Sequence, residues 1–136
     1  MENDCIFCKI ISGAIPCSKV YEDEKILAFL DLGPVNKGHT LIVPKKHFET
    51  LLDMPDKLLA ELIKATKKVA KAVIKVTRTD GFNLMQSNKP TAGQVVPHFH
   101  LHIIPRHKED GLKFWPQGKY EEGEMEKLAN EISSLL

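Results

Sequence analysis

Three of the chain's six histidines, His98, His100 and His102, occupy every second position of the run Pro97-His98-Phe99-His100-Leu101-His102-Ile103-Ile104-Pro105. In an extended strand successive side chains point to opposite faces. The imidazoles then share one face, neighbours about 6–7 Å apart, while Phe99, Leu101 and Ile103 share the other. A helix would scatter the same residues, and the β-branched and aromatic neighbours favour the strand. A single histidine, such as His107, is best read as a satisfied surface or core side chain. Three at strict period two beside an apolar layer are costly to keep without partners. Two chemistries suit them. One is a three-histidine catalytic zinc, although no carboxylate base lies nearby in sequence and Asp31 or a glutamate would have to approach in space. In the other, His100 is a nucleophile toward phosphorus, dividing one hard displacement into two easier ones. Its second ring nitrogen must then be held by a carbonyl or carboxylate. Donors for the phosphoryl oxygens are available from Gln94, the backbone of Gly93 to Val95, His102 and His98.

A second set of chemical groups lies near the N-terminus. Cys5-x-x-Cys8 offers two soft ligands at zinc spacing, although alone the pair reads equally as a redox pair or as two packed cysteines. Two histidines would complete a tetrahedral Cys₂His₂ site, and His47 and His98 are the candidates. Such a site ties the N-terminal segment to the sheet and leaves His100 and His102 for chemistry. Cys17 has no partner pattern and is read as packing.

The elements that position these groups follow from periodicity and breakers. Ile6, Phe7, Ile10 and Ile11 predict a short N-terminal helix closed by Gly13. Residues 19–22 and 26–30 read as strands about a polar turn, with Asp31 at the strand end. Residues 33–38 form a loop, and 39–43 a strand stopped by Pro44. The long helix begins with Pro55 as its first residue, capped by Asp53 or Met54. It places Leu58, Leu59, Leu62, Ile63, Val69, Ala70, Val73 and Ile74 on one face, and its lysines read as a solvated face. Asp80-Gly81 ends it. Residues 82–86 form a fourth strand, 87–94 a polar loop, and the histidine strand runs from 98 to Ile104. Residues 107–120 look irregular. A terminal helix over 121–136 carries Met125, Leu128, Ile132 and Leu135 on one side. Segregated antiparallel strands with helices make an α+β fold, with a sheet of about five strands.

The length of 136 residues predicts one domain, and 43% hydrophobic with 27% charged residues is ordinary globular composition. A net charge of +1 gives no bulk electrostatic case for nucleic-acid or membrane partners. The polar start Met1-Glu2-Asn3-Asp4 lacks the features of a signal peptide, and no apolar run approaches membrane-spanning length. Three cysteines, odd in number and near one end, make a poor disulfide framework. The expectation is a soluble, cytoplasmic protein.

Several ordered motifs together resemble the histidine triad (HIT) superfamily of nucleotide hydrolases and transferases, in particular its bacterial Hint-like members. They are Ile6-Phe7, Ile15-Pro16, Ala28-Phe29-Leu30-Asp31, the stretch from Gly38 through His47, Gly93-Gln94 and the triad. The resemblance covers most of the chain. It implies a single HIT domain over 1–136, with 121–136 a C-terminal helical extension, and a homodimer whose strands continue into one shared sheet. It also implies a hydrolase cleaving at the α-phosphate of purine nucleotide derivatives, either nucleoside phosphoramidates or dinucleoside polyphosphates. His100 matches the nucleophile that forms a nucleotidyl-histidine. His98 and His102 match positions near the phosphate, and His39 the relay that orients the nucleophile. Asp31 matches the ribose ligand, Phe7, Ile15, Phe29 and Leu32 the wall around the base, and Gln94 a phosphate-side glutamine. Structural zinc would sit on the equivalents of Cys5, Cys8, His47 and His98. Two departures stand out. Val95 replaces a common Ser or Thr, which predicts weaker assistance to an amine leaving group. Ser87 replaces the usual Asn of the sugar contact, with Asn88 or Asn83 as substitutes. Alternatives are a nucleotidyl transferase of the same family and a nucleotide-binding module with little turnover, the latter disfavoured by the intact triad.

Overall fold

Apolar runs that stay buried on both faces form the middle of the molecule. The computed structural model describes residues 4–136, and the polar start Met1-Glu2-Asn3, read above as lacking a leader, lies outside them. In chain order the elements are α1 (Ile6–Ile11), β1 (Lys19–Glu22), β2 (Ile26–Leu30), β3 (Thr40–Pro44), α2 (Asp56–Thr77), β4 (Gly81–Met85), β5 (Leu101–Arg106) and α3 (Glu124–Ser133). Short 3₁₀ turns occupy Leu51–Asp53 and Pro90–Ala92. The five strands form one antiparallel sheet in the order β1-β2-β3-β5-β4. This is the α+β architecture expected.

The two faces of the sheet bury different partners. Ile26, Ala28, Ile42 and Ile103, with Phe99 just before β5, pack against Leu62, Ala65, Val69, Ala70 and Val73 of α2. Leu27, Phe29, Leu41 and Val43, at the alternate positions, pack against Cys5 and Phe7. Burial on both sides explains why β2 and β3 read as nearly continuous apolar runs. Within α2, Thr66 takes its place on the buried face by donating its hydroxyl to the Leu62 carbonyl at 2.8 Å.

Several expected boundaries move. Pro55 is the residue flanking α2 rather than its first residue, and α2 starts at Asp56. Asp53 caps the preceding 3₁₀ turn instead, accepting from the backbone N–H and hydroxyl of Thr50 at 2.9 and 2.8 Å. The histidine strand starts at Leu101, not His98, because the earlier donors point elsewhere. The N–H of His98 donates to the Val96 carbonyl at 2.8 Å and that of Phe99 to Phe48 at 2.6 Å. The strand also runs through Pro105 to Arg106. Pairing with β3 ends at Ile103, so the missing N–H of Pro105 costs no bond on that side. The alternation survives this shift: Phe99, Leu101 and Ile103 still face α2. The terminal helix is shorter than 121–136, and Met125, Leu128 and Ile132 on it, like Leu135 beyond, are exposed.

Gly38 closes the turn into β3 at φ +93°, and a Cβ there would lie 2.5 Å from Thr77 Cγ2 and 3.3 Å from Pro105 Cγ. Gly38→Ala therefore combines backbone strain with overpacking, and we expect a destabilisation of about 2–4 kcal/mol. Denaturant unfolding should show a lowered midpoint at unchanged slope; a midpoint equal to wild type would contradict the account.

Candidate functional site

The stretch that leads into β5 holds His100 by a main-chain bond two residues away. His100 is 7% exposed, and its Nδ1–H donates to the His98 carbonyl at 2.7 Å. A carbonyl only accepts, so the proton sits on Nδ1 and Nε2 keeps its lone pair. Phe7 meets the His100 ring edge-on at a centroid distance of 5.0 Å. Burial pushes the His100 imidazole pKa below its ordinary value, against the raising effects of the His98 carbonyl and Asp31.

Hydrogen bonds likewise fix the tautomers of His39 and His102. The Val35 N–H donates to His39 Nδ1 at 3.1 Å, so neutral His39 carries its proton on Nε2. That nitrogen lies 2.8 Å from His102 Nδ1, which accepts, and the His102 proton therefore sits on Nε2. Asp31 Oδ2 stands 3.7 Å from His39 Nε2. Burial lowers the pKa of His39, against Asp31. Burial, then His100 and His39 beside it, lowers His102 to about 4. His39 thus holds His102 and not His100, in contrast to the relay role implied by the resemblance.

His100 and His102 open onto a cavity of about 380 Å³. Phe7, Ile15, Phe29, Asp31, Leu32, Ser87, Gly93 and Val95, all named from sequence, line it. Ile6, Ile10, Pro16, Cys17, Leu30, Leu41, Met85 and Val96 also line it and were missed. The apolar face of α1 carried a signal for Ile6 and Ile10; Cys17 carried none beyond its neighbour Pro16. Two expected residues stay out of the cavity lining. Gln94 is buried, accepting from the Lys89 N–H at 2.7 Å and donating to the Glu49 carbonyl at 2.6 Å. Asn88 accepts from the Leu51 N–H at 2.8 Å and pairs with Gln86. Both side chains brace the 87–94 loop.

His98 turns away from the cavity. Its Nε2–H donates to the Pro44 carbonyl at 2.8 Å, which fixes the tautomer and leaves Nδ1 unprotonated. Nδ1 lies 3.4 Å from Cys5 Sγ and 3.5 Å from Cys8 Sγ, and Cys8 Sγ lies 3.3 Å from His47 Nδ1. All four donor atoms fall within 4.8 Å of one another. Ordinary zinc bond lengths in a tetrahedron give sulfur–nitrogen edges of about 3.6 Å, so this donor set fits a metal ion. The histidines of the run consequently do not converge on one metal: both ring nitrogens of His98 face other groups. Asp31, His39 and His102 also lie within 4.8 Å of one another, but the His39–His102 hydrogen bond already uses the facing nitrogens.

The model of the HIT domain matches residues 12–109. The chain belongs to the HIT family. A HIT-family crystal structure from Bacillus subtilis superposes at TM-score 0.91 and 41% identity, covering 98% of this chain and 97% of that one. The zinc-bound histidine triad protein of Mycobacterium smegmatis matches at TM-score 0.78 and 33% identity over 100% of both chains. The adenosine 5′-monophosphoramidase hnt1 of Schizosaccharomyces pombe is 42% identical across 97% of this chain and 98% of its own. The HIT match begins after α1, so Cys5, Cys8 and Phe7 lie outside it.

The lowered His102 value has a signed consequence for this HIT domain. The unfolded state binds more protons than the folded one between about 4 and 6.5. The stability due to neutral His102 is complete above 6.5 and is lost as pH falls toward 4. His39 acts in the same direction. Melting temperatures measured from pH 7 to 4.5 should fall more steeply for wild type than for His102→Gln; parallel curves would refute it.

Proposed function

We propose that this HIT protein hydrolyses purine nucleotide derivatives at the α-phosphate, either nucleoside phosphoramidates or dinucleoside polyphosphates, through a nucleotidyl-histidine on His100. The observation that carries this reading is the His98 carbonyl on His100 Nδ1 at 2.7 Å beside the apolar cavity. The name of the fission-yeast relative, an adenosine 5′-monophosphoramidase, agrees with it.

The chemistry follows from the proton positions. His100 Nε2 attacks phosphorus, a P–N bond forms and the bond to the leaving group breaks. The proton stays on Nδ1, donated to the His98 carbonyl, so the intermediate is an N-phosphorylated imidazolium, itself a good leaving group for water. The His102 Nε2–H, on a ring neutral near pH 7, hydrogen-bonds the phosphoryl oxygens or the departing atom while keeping its proton, and solvent water supplies the proton the leaving group takes up. His39 keeps that tautomer. The base enters between Phe7, Ile15, Phe29 and Leu32. The Asp31 carboxylate, its Oδ1 already accepting from Gly33 N–H at 2.9 Å, takes the ribose hydroxyls, with Ser87 on the other side. The backbone of Gly93 to Val95 meets the phosphate, and Gln94 acts by bracing that loop.

Cys5, Cys8, His47 and His98 would hold a structural zinc, which ties α1 to the sheet. The thiols such a site needs point to a reducing compartment, the cytoplasm. The single domain of 1–136 would act as a homodimer: β4 is an edge strand with Phe82 and Leu84 exposed beside Ile63, Ala70 and Ile74, and a second copy continuing the sheet would cover them. Nucleic acid and membrane are not expected partners at a net charge of +1.

Quenched mass spectrometry with an adenosine phosphoramidate should find a nucleotidyl group on the His100 peptide. His100→Asn should abolish it, cut turnover on the order of 10³-fold or more, and keep AMP binding; turnover without any adduct would sink the covalent route. In the same assay Val95→Ser should raise phosphoramidate turnover by supplying a donor. Metal analysis should find one zinc per chain, lost in Cys5→Ser; full retention would exclude this ligand set. Sedimentation should give twice the chain mass for wild type and the single mass for Leu84→Lys, and a monomeric wild type would rule out the dimer.

A further inference from the structure

Two parts of the chain serve the Cys/His cluster and the cavity at once. The first is α1, six residues long with Cys5 as its N-terminal flank. Cys5 and Cys8 supply the sulfurs of the cluster. Phe7, between them in sequence, meets Phe29 at 5.6 Å, His98 at 5.9 Å and His100 at 5.0 Å between ring centroids, each edge-on. With Ile6 and Ile10 it forms one side of the cavity. A helix this short is unstable by itself, so its position depends on what docks it. The second part is residue 98. Its ring faces Cys5 and Cys8, while its carbonyl holds the His100 ring. In both parts, cluster and cavity residues lie within two positions of each other.

We propose that the Cys5–Cys8–His47–His98 centre is a positioning centre for the nucleotide site, so that zinc and nucleotide bind with positive cooperativity. The inference rests on reading the cavity as a nucleotide site. Its physical basis is the freedom left to the two shared parts. Thiol–imidazole contacts of 3.3–3.5 Å are weak tethers, whereas metal–ligand bonds fix both ends of α1's first turn and the ring of His98. With α1 fixed, Phe7 no longer has to be ordered by the nucleotide. With residue 98 fixed, its carbonyl stays under His100 Nδ1. Order prepaid by one ligand lowers the cost for the other, and the coupling is reciprocal. His98 is on this account a positioning residue, acting on the reaction through the His100 ring.

The experiment uses the whole chain loaded with one zinc and the same chain stripped by a chelator, metal content being verified in each. Calorimetric titration with AMP should give at least about tenfold weaker binding to the stripped chain. Conversely, saturating AMP should tighten zinc, measured against a chromophoric chelator, by the same factor. If stripping unfolds the chain, as circular dichroism would report, the second titration decides, since it starts from the folded, loaded protein. Nitrogen NMR of the His100 ring gives a readout independent of turnover: one fixed Nδ1–H tautomer in the loaded chain, exchange-averaged signals in the stripped chain. AMP affinity equal in both forms, or in the decisive titration a zinc affinity unmoved by AMP, overturns the coupling and leaves the nucleotide reading standing. A loaded chain that fails to bind AMP overturns both, and a chain that takes up no zinc overturns the coupling.

Discussion

The hydrogen bond from His100 Nδ1 to the His98 carbonyl, at 2.7 Å, is the contact on which the rest of the site depends. It exists because the chain is not yet in the sheet at residue 98. A carbonyl committed to a ladder bond would be aimed at a neighbouring strand; here the N–H groups of His98 and Phe99 are taken by Val96 and Phe48, and the ladder begins only at Leu101 opposite Ile42. The same departure lets the His98 ring turn toward Cys5 and Cys8 while Phe99 stays in the core against α2. One local deviation from strand geometry thus separates three side chains of equal spacing: His98 beside the cysteines, His100 held by a main-chain carbonyl and His102 held by His39.

Electrostatics reinforces that division. Burial disfavours protonation of the clustered imidazoles, and their mutual repulsion adds to the effect, driving His102 down to about 4. Asp31 opposes the shift for all three of His39, His100 and His102 without cancelling it. Neutral rings are what the arrangement needs: the Val35–His39–His102 chain transmits a single tautomer, which a doubly protonated ring would break.

The two-sided sheet sets where this happens. One face is covered by α2 and holds the main core; the other carries the small helix α1 together with Cys17 and Val96, and the cavity lies among them. A sheet covered evenly on both faces would have left no room beside His100.

Much of this was legible in the residues. The alternation of His98, His100 and His102 with Phe99, Leu101 and Ile103 named the apolar three as the face toward the core, because extended backbone sends successive side chains to opposite sides. The Cys5-x-x-Cys8 pair, with His47 and His98, named a ligand set whose donor atoms do come together. The strands and α2 were placed to within a few residues, since apolar runs, Pro and Gly act locally. Tertiary structure alone decided the rest. That His39 reaches His102, that Gln94 and Asn88 brace a loop, and that Cys17 lines the cavity all depend on contacts between distant segments. The start of β5 was equally hidden, because it depends on carbonyls of Val96 and Phe48 competing for backbone donors, and local pattern carries no record of that competition. Residue types and spacing therefore set the chemistry available to this chain, while long-range hydrogen bonds set which nitrogen of which histidine can perform it.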